Sequence, residues 1–294
     1  MNVLPVLIRR EFWEHRALWV APLAMAVLIL LGGAFGSVHF DPSGMHFGPG
    51  RPDSVPQGSP AVFALSHWAL VVPQYFVMVV VLFFYLLDCL YAERKDRSIL
   101  FWKSLPVSDT LTVLSKLAVA FVVVPLGVYA LAIATDLVAS GVFALRFHDS
   151  ASAASFMTWD TGVWLRVHAL LLGGLFVMVL WYAPVAAYLL LVSAWAGRHV
   201  FLWAVLPPLL IVLAEWIAFR TTNVVALLGY RLGGIWGSLG AGDYDRHGPP
   251  DLGTLFGRIN ALPLLENVDL WLGIALAAAL VFAAIRIRRY RDET

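Results

Sequence analysis

The sequence is short of sulfur, of charge and of lysine. Its single cysteine is Cys89, so an intramolecular disulfide is excluded, as is a thiolate-only zinc or iron–sulfur centre. Charged residues make up 13% of the 294 positions and hydrophobic residues 61%. Soluble domains carry about 25% and about 45–50%. That balance excludes a disordered chain and a water-soluble enzyme with an ordinarily charged surface. The lysines are Lys95, Lys103 and Lys116, and none follows a glycine. A Walker-type phosphate loop needs Gly-Lys at its end, so any ATP consumed on behalf of this chain is hydrolysed elsewhere. A formal net charge of +1 singles out no partner, and no nucleic-acid partner is expected.

What the chain has in quantity is long apolar runs. A spanning helix needs about 20 mostly apolar residues, and six stretches qualify: 17–36, 68–88, 111–136, 163–197, 200–219 and 268–287. The expected fold is therefore all-α and polytopic, with six transmembrane helices. Residues 2–16 precede a span too long for a signal peptide and read as an interfacial helix. Leu4, Ile8 and Phe12 recur at i+4, while Trp13 and Trp19 suit headgroup depth. Glu11 lies close to the apolar side and spoils that stripe. With the N-terminus cytoplasmic, the inner segments hold thirteen Lys and Arg and the outer ones seven. The positive-inside rule then puts both termini in the cytoplasm.

Between the fifth and sixth spans, 223–265 is an apolar segment containing Gly229, Gly233, Gly234, Gly237 and Gly240. It reads as a re-entrant or outer-leaflet piece packed on the bundle, because broken backbone at membrane depth needs cover. Three acids border the spans, Asp88, Asp136 and Glu215. Each lies near a helix end, which favours interfacial positions and local pairs, Asp136 with Arg166 and Glu215 with Arg220. The alternative is a proton or substrate relay. His39, His46 and His67, with Asp41, read as members of a solvated outer loop, their spacing matching no defined metal site. Ser66-His67 lacks an acid and oxyanion donors for a hydrolase. The tryptophans mostly flank spans, as an aromatic belt does.

The loop between the second and third spans, 92–109, is the most informative. It opens with Glu93-Arg94-Lys95-Asp96-Arg97-Ser98 and continues with Ile99-Leu100-Phe101-Trp102, a patch too short to span. Lys103-Ser104-Leu105-Pro106 follows; Pro106 stops a helix and Ser108 can cap the next. A short amphipathic helix with aromatic anchors suits docking into a partner's groove. The alternative is a helix lying on lipid.

This loop resembles the coupling-helix region of type-2 ABC exporter permeases, the membrane subunits of ATP-binding-cassette transporters. Glu93-Arg94 matches the acidic-basic pair, Ser98 the small residue, Ile99 to Trp102 the hydrophobic stretch. Ser104-Leu105-Pro106, Val107-Ser108 and Lys116 match the remainder. Arg97 stands where a glycine is often found, which is a departure. The topology and the basic tail Arg286 to Arg291 are also similar. The resemblance implies a cytoplasmic coupling helix carrying Glu93, Arg94, Arg97, Ser98, Phe101, Trp102, Lys103 and Pro106. It implies a separate ATPase subunit that binds ATP and magnesium, and pairing with a second copy or a homologous permease chain. It further implies residence in the bilayer of a bacterial inner membrane, and export. Long spans without mid-membrane charge favour a hydrophobic or amphipathic cargo such as a peptide, an antibiotic or a lipid-like molecule. The alternative function is an ion- or proton-coupled carrier using Asp88, Asp136 and Glu215.

Overall fold

A computed structural model of the chain describes residues 3–35, 60–96, 98, 107–146, 159–236, 256 and 260–290. Regular structure among them is helical throughout, with no strand. The principal helices are α1 (Val3–Glu14), α2 (Ala17–Phe35), α3 (Pro60–Asp88), α4 (Tyr91–Lys95), α5 (Asp109–Arg146), α6 (Thr161–Trp195), α7 (Val200–Phe219), α8 (Asn223–Trp236) and α9 (Val268–Tyr290). Six are long and apolar enough to cross a membrane: α2, α3 with its extension to Lys95, α5, α6, α7 and α9. The chain is a multi-pass membrane protein.

Two of these helices run past the limits that hydropathy suggests. Helix α3 starts at Pro60 instead of 68, with proline at the first helical position, where its missing N–H costs nothing. Phe63, Ala64 and His67 are buried there, so this stretch is packed helix and His67 is no loop residue. Helix α5 continues beyond Asp136 to Arg146. A carboxylate ends a span only where it must reach water, and Asp136 finds its partners inside the bundle. Helix starts carry local signals as well. Ser108 Oγ accepts from Leu111 N at 3.2 Å ahead of α5, and Asp160 Oδ1 accepts from Val163 N at 3.0 Å ahead of α6. Within α5 the turn Val119–Val123 is a π-helix. It lies just before Pro125, whose ring nitrogen has no proton to give.

Helix α6 is the axis of the bundle. Its most apolar window is 61% buried by protein, against 11% for α7, so α7 leans on the rest and leaves most of its surface to its surroundings. Burial of apolar area does not itself hold helices together in lipid, so packing and polar contacts carry more of the association. Ala183 and Ala187 of α6 meet Ala277 of α9, and the small side chains let the two backbones approach. Tyr75 OH and Tyr129 OH donate to Leu171 O and His168 O of α6, at 3.4 Å and 2.9 Å, tying α3 and α5 to the same axis. Helix α8 returns to the bundle against α6. Trp181 Nε1 donates to Arg231 O at 2.8 Å and Tyr182 OH to Leu232 O at 2.7 Å. Gly273 of α9 leaves the space that the Arg231 guanidinium fills; a Cβ there would collide with it.

Candidate functional sites at the two ends of the bundle

At the end where α1 and the close of α9 meet, four helices bring their charges to one point. Glu93, on α4, is 3% exposed. Its Oε1 accepts from Arg10 Nη2 of α1 at 3.1 Å and lies 3.1 Å from Lys116 Nζ of α5. Its Oε2 accepts from Arg288 Nη1 of α9 at 2.5 Å. Glu11 shares Lys116 at 2.8 Å and accepts from Tyr85 OH at 2.9 Å. Arg288 Nε also reaches Asp109 Oδ1 at 3.1 Å. Lys116 is fully buried and lies between two carboxylates, a geometry in which an ammonium keeps its proton without bulk water. His15 follows α1 beside this cluster, its ring edge-on to Tyr85 at 4.9 Å. Burial pushes its pKa down, against the pull of Glu11.

The same short helix is fastened to α6. Arg94 Nη2 donates to Ser193 O at 2.6 Å and to Ala196 O at 2.8 Å. These are the carbonyls left without partners as α6 ends, where a cation also meets the negative pole of the helix. Ser193 Oγ in turn accepts from Leu90 N at 3.1 Å and Tyr91 N at 3.0 Å. The chain leaving α3 is therefore held by side chains of α1, α5, α6 and α9 before it enters 97–106.

The opposite end holds a different assembly. Asp136 of α5 is fully buried and lies about 30 Å along the helix from Lys116, at the usual 1.5 Å per residue. That distance matches a bilayer's hydrocarbon core. His67 Nδ1 of α3 is 2.6 Å from Asp136 Oδ1. Trp164 Nε1 of α6 donates to Oδ2 at 2.8 Å, and His168 Nε2 stands 3.6 Å from that same oxygen. The other ring nitrogen, His168 Nδ1, lies 3.1 Å from Trp164 O. Phe63 and Trp159 pack edge-on against His67, and Trp164 stacks on His168 with ring centres 4.2 Å apart. Among the described residues no group of three or more His, Cys, Asp or Glu is arranged to hold a metal ion.

The structure separates the three acids that border the spans. Asp136 pairs with histidine rather than with Arg166, which instead covers the Phe256 ring at 4.7 Å. Glu215 does not pair with Arg220, which lies over Trp216 at 5.0 Å. Its carboxylate accepts from Thr221 Oγ1, Asn223 N and Val224 N at 2.7, 2.9 and 2.8 Å, capping α8. Asp88 is exposed. Of the loop residues, Glu93 and Arg94 are buried in the cluster above, and Ser98 Oγ donates to Glu93 O at 3.3 Å. Arg97, Phe101, Trp102, Lys103 and Pro106 lie outside the described residues, as do His39, Asp41 and His46.

Glu11, Lys116, Arg288, Ser193 and His168 gain roles that spacing alone does not give. The sequence does carry a trace of each charged one. Glu11 interrupts an apolar stripe, Lys116 and Arg288 stand at the edges of apolar runs, and His168 lies near the start of the fourth run. Comparison with family models, with curated proteins and with solved structures finds no match to this chain.

Proposed function

We propose that the chain is the membrane subunit of an ATP-driven exporter of the type-2 ABC class, powered by a separate ATPase and moving a hydrophobic or amphipathic substrate. The observation that carries this reading is the buried mount of α4. Glu93 and Arg94 spend their charges inside the chain, joining α4 to α1, α5, α6 and α9. A push applied to the attached segment 97–106 would therefore move the spanning helices instead of bending a loose connection. The mechanical requirement is that the partner contact this segment differently in its ATP-bound and ATP-free states. In this reading Phe101 and Trp102 are the anchors that enter the ATPase, while Glu93 and Arg94 transmit the motion. The cluster end and both termini face the cytoplasm, and two such membrane subunits pair.

The proton-coupled carrier draws support from one of its three acids. Asp88 is exposed and Glu215 caps a helix, which leaves Asp136, and Asp136 sits at one end of the bundle and not at its middle.

The test is copurification. An aromatic anchor truncated in a partner's pocket commonly costs about 2–4 kcal/mol, equivalent to roughly 30- to 1000-fold weaker binding. Phe101→Ala with Trp102→Ala should release the ATPase in mild detergent while the membrane subunit stays monodisperse. Equal recovery of ATPase from wild type and variant would remove the docking role. Substrate movement in vesicles that stops with an uncoupler while ATP remains would favour the carrier.

A further inference from the structure

The geometry points to a proton-binding site formed by His67, Asp136 and His168, whose vacant position is Nε2 of His168. The three side chains come from α3, α5 and α6 and have 5%, 0% and 4% of their surface exposed. His67 Nδ1 and Asp136 Oδ1 are 2.6 Å apart, as short as a charge-assisted hydrogen bond, so this face of the carboxylate is taken. Oδ2 of Asp136 receives Trp164 Nε1. A carboxylate oxygen accepts a second donor readily, and among the described residues none fills that place. His168 Nδ1, 3.1 Å from Trp164 O, can bond to that carbonyl only as an N–H. The neutral ring then carries its lone pair on Nε2. That atom is buried without a hydrogen-bond partner among the described residues, 3.6 Å from Oδ2. A lone pair facing a carboxylate oxygen is repulsive; the same nitrogen bearing a proton is a donor aimed at it.

No other described charge competes for this place. On α5, Arg146 lies a further two to three turns along and donates to Gly33 O. On α6, Arg166 is turned to Phe256, and Asp160 caps Val163 N. The tyrosines nearest along the helices, Tyr75 and Tyr129, donate to backbone carbonyls of α6. Helix α2 has no ionisable residue. Filling the vacancy needs a proton from the water at that end; it binds the Nε2 lone pair and no bond breaks. The imidazolium draws α6 towards α5 and closes this end of the bundle more tightly. Acidification there acts as a latch, whatever drives transport.

The test uses the full chain in lipid nanodiscs with 15N-labelled histidine, its ring nitrogens followed by NMR from about pH 8 to about pH 5, the range in which histidine changes charge. His168→Gln identifies the His168 signal. In the wild type that ring passes reversibly from neutral, with the proton on Nδ1, to cationic. Asp136→Asn weakens proton binding at His168 by about ten- to a thousandfold, the span of one to three pKa units that a neighbouring charge produces. Trp164→Phe removes the donor competing for Oδ2 and shifts the affinity the opposite way, which keeps the test decisive if the asparagine variant fails to fold. A His168 ring that stays neutral down to about pH 5 overturns the proposal. So does a titration unchanged in both variants. A signal that moves on addition of zinc and returns with chelator would assign the site to a metal instead.

Discussion

The two ends of the bundle solve the same problem in opposite ways. Both bury a carboxylate among helices of a chain with few charges, and α3, α5 and α6 reach both places, α3 through its extension into α4. At the terminal end Glu93 meets Arg10, Lys116 and Arg288, and Glu11 meets Lys116 and Tyr85. Lysine and arginine hold their charge over the whole physiological range, so this cluster has one state. At the far end Asp136 meets only groups that can change or lack charge, two histidines and an indole. The first arrangement fixes helices; the second lets a proton decide how tightly they close. Permanent cations make a mount, and titratable ones make a latch.

The sharpest way to break this comparison is to remove the acid that holds the mount. Glu93→Gln keeps the shape but leaves Lys116 and Arg288 buried with less compensation. Breaking a buried pair by removing one partner costs about 3–5 kcal/mol. A large fall in the thermal midpoint of the purified protein in detergent is expected, with poor yield. Adding Lys116→Met should return part of the loss, because an apolar residue of similar volume no longer needs a counter-charge. A Glu93→Gln protein as stable as wild type would mean the cluster does not hold the helices.

Asp136→Asn is expected to cost less, about 1–3 kcal/mol, the range for a buried partner left unsatisfied. The reason is chemical: the partners of Asp136 are imidazoles and an indole, whereas Lys116 and Arg288 carry permanent charge. Comparing His67→Gln, Asp136→Asn and the double variant should give a coupling of about 0.5–3 kcal/mol. Additive losses would show that the 2.6 Å contact contributes nothing of its own. If Asp136→Asn costs more than Glu93→Gln, the contrast between the ends is reversed.

The all-helical architecture and the six spans are legible in the sequence because length and hydropathy suffice for them. The packing of charge is not. The sequence pairs Asp136 with Arg166 and Glu215 with Arg220, since opposite charges near helix ends pair most easily on paper. The structure turns Arg166 and Arg220 onto aromatic rings, and which face of a helix a residue occupies depends on neighbours far away in sequence. His67 shows the same limit. It reads as the end of a polar loop, yet α3 begins earlier and buries it under Phe63 and Trp159. Glu11 was the residue that could have been caught. A carboxylate on the wrong side of an amphipathic stripe signals a partner, and Lys116 is that partner.

A smaller effect tests how the mount is joined to α6. Ser193 Oγ is the acceptor for Leu90 N and Tyr91 N, where the chain turns out of α3. Ser193→Ala leaves the buried Leu90 N–H and the part-buried Tyr91 N–H to find other partners, and about 1–2 kcal/mol is expected. Because Arg94 binds the Ser193 carbonyl and not its side chain, the ion pairs should survive. Hydrogen exchange at Leu90 and Tyr91 should then rise without loss of protection at Lys116. Loss of protection across both would mean that the serine and the charges form one cooperative unit.

The least of these effects concerns pH at the terminal end. His15 stands beside the terminal cluster, outside the spanning helices, and burial holds its pKa below the ordinary value in spite of Glu11. The unfolded chain therefore binds more protons here than the folded one as the pH drops below about 6.5. Stability from the neutral ring is complete above that value and is lost as the pH falls through the lowered folded pKa. Thermal midpoints measured from about pH 7.5 to about pH 5.5 should show this loss in the wild type. His15→Gln should make the protein relatively more stable in acid. A slope unchanged by His15→Gln would mean that burial of this ring contributes nothing to the pH dependence of the terminal end.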